Sequence, residues 1–147
     1  MTQYELLQII TGFLGSLGFA ILFNIRGKKL IFAALGGGVS WALFVLLQFL
    51  TPNEALRYFI VAVLVSVYAE IMARVLKTPT TTFHMTALIP LIPGGSLYYT
   101  MASVFDGDLG DFLEKGLYTL ELAVALALGI VIVTAIAHTI GKRKTLK

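Results

Sequence analysis

The stretch "ALIPLIPGGSLYYTM", Ala87 to Met101, decides how this chain is folded. It lies inside a run apolar enough to cross a membrane, Phe83–Phe105. Yet it gathers Pro90, Pro93, Gly94 and Gly95, the two residue types least favourable to a helix, within six positions. Pro90 cannot donate to the carbonyl of Thr86, and Pro93 cannot donate to that of Ile89, so two carbonyls lose their helical donors at membrane depth. Such backbone is tolerated only where protein or a water-filled cavity satisfies it. "SLYYTMASVF" then resumes a helix, with Ser96 placed as its cap. The segment reads either as one span with a break or as a re-entrant loop, and the charges along the chain choose between them.

The chain has 147 residues, 58% of them hydrophobic and 13% charged, with mean hydropathy +0.89 and no cysteine. A soluble domain carries about 25% charged residues. Polar residues are too few here to cover a soluble particle of this size, so the chain is an integral membrane protein. Spanning needs about 20 apolar residues, and five segments supply them: Leu6–Ile25, Leu30–Leu50, Ala55–Leu76, Phe83–Phe105 and Gly116–Ile140. The runs are continuous rather than alternating, which excludes a β-barrel. The connections "RGKK", "TPNE", "KTPTTT" and "DGDLGDFLEK" leave no room for a soluble domain. The expected fold is therefore a single all-α transmembrane domain over 1–147, with about five transmembrane helices, the fourth broken at the Pro-Gly motif.

Nine of the eleven basic residues fall on one side: Arg26, Lys28, Lys29, Arg74, Lys77, Lys142, Arg143, Lys144 and Lys147. The opposite ends carry Glu5, Glu54, Asp106, Asp108, Asp111 and Glu114, against Arg57 and Lys115. By the positive-inside rule the N-terminus is out and the C-terminus in, across a bacterial cytoplasmic membrane. A re-entrant fourth segment would put the C-terminal basic cluster outside, so a full span with a break is expected. The net charge of +3 reflects this bias and not a nucleic-acid partner. The flank "MTQYE" has no basic residue, so the first span is not a cleaved signal peptide.

Small residues recur at helical spacing: Gly12, Gly15, Ser16 and Gly18; Ala33/Gly37, Ala34/Gly38 and Gly36/Ser40; Ala125 and Gly129. They let helix backbones approach closely, within one bundle or against another chain, a homo-oligomer included. At the break, the restarted helix points unpaired N–H groups and a positive dipole end toward the membrane middle, where a carboxylate or phosphate is favoured. Transporters built on discontinuous helices hold anionic substrate groups this way. Pro90, Pro93, Gly94, Gly95, Ser96 and Tyr98 are thus the candidate substrate-binding set; a structural proline kink is the competing reading. Tyr98 and Tyr99 either line a pocket or anchor at the interface.

Ionisable residues at membrane depth are functional candidates by default. Glu70 and Arg74 are one turn apart on the third span and can pair, as a structural ion pair or as a gate. Glu121, in the fifth, has no basic neighbour nearby on its helix; it suits proton coupling or a cavity mouth. His84 and His138 lie toward the cytoplasmic ends of the last two spans, and His84 is a candidate for titration near neutral pH. Two histidines without carboxylates make no metal site. Thr78, Thr80, Thr81 and Thr82 either cap a helix or form a polar vestibule to the break. Asp106, Asp108 and Asp111 read as a solvated turn, being too short a ligand run for calcium. No nucleophile–base pair, zinc-helix motif or phosphate loop appears, so neither enzyme chemistry nor a cofactor is expected.

"KTPTTTFHMTALIPLIPGGSLYYTM" resembles the signature of the threonine/serine exporter (ThrE-type) family in its short C-terminal-half form. The matching positions are Pro79, Phe83, Ile89, Pro90, Leu91, Ile92, Pro93, Gly94, Gly95 and Tyr98. The five-span layout is also similar. The resemblance implies export of small amino acids, or in split members of small dicarboxylates, driven by an ion gradient. It also implies a larger membrane subunit, because full-length members carry an N-terminal half that is not present in this sequence. The reading is a secondary-transporter subunit with a small-molecule substrate in the lipid bilayer. Its rivals are a non-transporting scaffold for a partner and an intramembrane enzyme.

Overall fold

In the computed structural model, residues 3–145 are described, with side chains through residue 140. The chain is 86% helical, and no strand occurs among the described residues. The helices are α1 (Gln3–Leu22), α2 (Lys28–Gln48), α3 (Glu54–Val75), α4 (Thr80–Leu88), α5 (Gly94–Phe105) and α6 (Leu109–Thr145); a 3₁₀ turn, Ile89–Leu91, follows α4. α1, α2, α3 and α6 are each long and apolar enough to cross a membrane, and α4 with α5, bent by 56° at the break, are together long and apolar enough for a fifth, as a broken span or a re-entrant loop.

The turns follow from local chemistry. Asn24 and Gly27 take positive φ (58° and 67°) between α1 and α2, a conformation asparagine and glycine tolerate best. Asn53 caps α3 by accepting the Leu56 N–H at 3.0 Å. At the acidic end, the stretch expected to be a ten-residue loop before Gly116 is mostly helix. Asp108 Oδ1 accepts the Asp111 N–H at 2.9 Å and its carbonyl accepts that of Phe112 at 3.0 Å, so α6 starts at Leu109. The remaining turn is Asp106–Gly107–Asp108, with Gly107 at φ 73°. At the other correction, Ser96 caps nothing. α5 starts at Gly94 with Pro93 in the cap position and no side-chain cap bond. The Pro93 ring fixes φ at −73°, the two glycines enter the helix without strain, and Ser96 falls inside the first turn.

Small residues set the helix contacts. A Cβ on Gly37 would stand 1.7 Å from Ser16 Oγ, so α1 and α2 meet only because that position is glycine. A Cβ on Gly36 would stand 2.9 Å from Ala87 Cβ of α4, and one on Gly129 of α6 would stand 2.6 Å from Ala62 Cβ and 2.8 Å from the Phe59 carbonyl of α3. Gly15 and Gly18 instead face open space. α4 is the central element, held between α2 and α3. Phe83, Ala87 and, in the 3₁₀ turn, Leu91 are fully buried in two apolar clusters. α5 leaves this core and packs on α6. Arg26, Lys28, Lys29, Arg74 and Lys77 share one end of the bundle, where α1 and α3 finish. Lys142, Arg143, Lys144 and Lys147, the rest of the expected basic side, lie outside the residues whose side chains are described.

Candidate functional site

The break is stitched rather than open. The Ile89 carbonyl, which Pro93 cannot bond, accepts the Ile92 N–H at 3.2 Å. The Ile92 carbonyl accepts Gly94 N–H at 2.6 Å, and that of Pro93 accepts Leu97 N–H at 3.0 Å. Gly95 and Ser96 contribute first-turn amides, which have no intrahelical acceptor. A Cβ added to Gly94 or Gly95 would meet nothing within 4 Å, and neither residue has positive φ. Neither backbone strain nor packing within this chain requires glycine there. Tyr98 and Tyr99, both exposed, contact each other edge-on at 5.5 Å.

The depth of the break follows from its neighbours. Thr100 of α5 hydrogen-bonds Thr119 of α6 at 3.1 Å, and the Tyr118 hydroxyl donates to Glu54, the first residue of α3. Thr100 therefore stands level with the acidic-end rim of the bundle. Gly94 begins about 9 Å below it, six residues back at 1.5 Å each. The helix start thus points from beneath the rim toward the interior of the bundle, with the last turn of α5 and the first of α6 reaching past α3. A polar seam joins these two helices. Asp111 accepts from Ser103 Oγ and from Lys115 Nζ, each at 2.6 Å, so the residue expected in a solvated turn pairs with Lys115 within α6 and hydrogen-bonds across to α5 through Ser103.

A second polar group lies toward the basic end. Arg74 and Glu70 pair at 3.4 Å, with Glu70 mostly covered and Arg74 mostly exposed. Glu70 also acts electrostatically on His84 of α4, which is buried. His84 Nε2 and Ser66 Oγ, one turn before Glu70, are both buried without a hydrogen-bond partner among the described residues. Ser66 on α3 and His84 on α4 are thus buried with unpaired polar atoms, a costly arrangement for packing alone. Ser66 was missed in the sequence; its spacing of four before Glu70 was the available signal. A cavity of about 300 Å³ at the same end is lined by Phe23, Ile25, Thr81, Thr82 and Met85, so two of the threonines face it. Glu121 is exposed on α6, three residues past Tyr118 and near the rim. It is not brought together with Glu70, which lies 16 residues, about 24 Å, along α3 from Glu54. His138 is exposed on α6, away from buried His84 on α4.

The family model described as threonine/serine exporter, ThrE, matches residues 8–136. No solved structure matches the chain.

Proposed function

The chain belongs to the threonine/serine exporter (ThrE) family, and from that premise we propose that it is one subunit of a secondary transporter in the bacterial cytoplasmic membrane. It exports small carboxylate-bearing metabolites, threonine or serine first and a dicarboxylate such as succinate second. The observation that carries this reading is the start of α5: two glycines with open space beside them, under the rim, with first-turn amides and the positive helix end next to them. That is room and charge for a carboxylate. Pro90 and Pro93 hold the bend, Ser96 and Tyr98 stand by as further donors, and Glu70, with Arg74 and His84, gates the basic end or carries protons. Glu121 would serve at the rim, on the opposite side of the membrane from Glu70.

The basic end faces the cytoplasm, so the N-terminus is out and the C-terminus in. A larger membrane subunit supplies the remaining half of the pathway. The exposed apolar side of α5, Leu97, Tyr98, Val104 and Phe105 among it, is where such a subunit would pack. This same surface favours the alternative of a scaffold that only assembles its partner.

Efflux of labelled threonine, serine and succinate from loaded cells separates the two. This chain alone, the larger subunit alone and both together are compared. Efflux needing both is expected. Full efflux from the larger subunit alone would reduce this chain to a scaffold.

A further inference from the structure

α3 and α6 run parallel and pinch together at Gly129, whose position admits no Cβ against Ala62 and Phe59. Toward the basic end they enclose a groove of about 350 Å³. Its walls are Val63, Val67 and Ile71 from α3 and mainly Ile132 and Ile136 from α6; Glu70 and Arg74 stand at the wide end. From Val63 to Arg74 it runs about 16 Å along the helix axis, at 1.5 Å per residue. A groove of this length and volume has room for a single hydrocarbon chain.

The charge at the wide end selects the headgroup. Arg74 is 57% exposed, and its 3.4 Å contact with Glu70 engages one of five guanidinium N–H donors. Lys77, exposed, follows at the end of the same helix. Glu70 opposes an anion, yet two cations face one carboxylate, and both cations lie where a lipid headgroup of the cytoplasmic leaflet would sit. We propose that this groove is a binding site for one anionic phospholipid, an acyl chain lying between α3 and α6 and its phosphate on Arg74. A bound phosphate competes with Glu70 for the guanidinium. Under the transport reading above, occupancy would loosen the proposed gate, but lipid binding itself does not depend on that reading.

The test is native mass spectrometry of the full chain released from detergent with equimolar phosphatidylglycerol and phosphatidylcholine of identical acyl chains. The wild type should retain one phosphatidylglycerol, preferred by about fivefold or more. Arg74→Gln, an exposed change, should abolish the preference. Val67→Trp, which fills the groove, should abolish retention of both lipids, while Leu46→Trp, on the lipid-facing side of α2, should change nothing. Equal retention of the two lipids would overturn the proposal. So would phosphatidylglycerol retention unchanged in Arg74→Gln, or a Val67→Trp variant that keeps its lipid and alters only the oligomeric state.

Discussion

At the scale of single residues, the contact between Gly37 and Ser16 is the least forgiving. An added methyl there would overlap the serine hydroxyl, 1.7 Å away, so α1 must shift to admit it. Gly37→Ala is expected to cost about 1–3 kcal/mol, as overpacking does. A fall in thermal unfolding temperature measures it, and the same change at Gly15, which faces open space, serves as the control. Glu70 behaves differently. Glu70→Gln keeps the side-chain shape at the α3–α4 interface but removes the charge from His84 and Arg74. It should leave insertion intact and flatten the pH dependence of efflux; an unchanged pH profile would remove Glu70 from proton coupling. The Glu70–Arg74 pair was legible in the sequence because a spacing of four on one helix fixes the neighbours. Its link to His84 was not, because that contact crosses from α3 to α4 and depends on which face α4 buries. Ser66 was passed over for a plainer reason: a lone serine in an apolar helix resembles any small packing residue, and only its spacing of four before Glu70 marked it.

At the scale of elements, the Pro-Gly break could be read from composition, since no continuous helix survives Pro90 and Pro93. The position where the helix restarts could not. Serine is the better cap by propensity, but Pro93 sets the backbone two residues earlier and the glycines follow it into the helix. The start of α6 was misjudged for a related reason. Asp108, one aspartate among several in an apparent loop, caps a helix that begins at once. Asp108→Ala should therefore destabilise the α5–α6 hairpin by about 1 kcal/mol. Faster amide exchange confined to residues 109–113 would show it; exchange unchanged there would mean that the cap contributes nothing. The α5–α6 seam, from Thr100–Thr119 to Ser103–Asp111, was likewise hidden in a stretch that read as solvated turn and span.

At the scale of the whole molecule, hydropathy and the distribution of eleven basic residues were enough to give an all-α membrane protein with four to five candidate spans. Span counting depends only on local composition, which the chain displays openly. Relative position along the bundle depends on which residues pair across helices, so only the Tyr118–Glu54 and Thr100–Thr119 bonds set the break beneath the rim. With no native cysteine, single cysteines report orientation directly. A membrane-impermeant maleimide applied to whole cells should label Asp108→Cys and spare Lys77→Cys; the reverse pattern would invert the topology. The central claim is that the α5 start holds a substrate carboxylate, and one measurement meets it most directly: efflux of labelled threonine, serine and succinate through Gly95→Leu, alongside the wild type and any partner needed. A Cβ there meets nothing within 4 Å in this chain, so insertion and unfolding temperature should be unchanged. Efflux should fall roughly tenfold or more, the weight of one hydrogen bond to a charged group. Wild-type efflux from a correctly inserted Gly95→Leu protein would contradict the account.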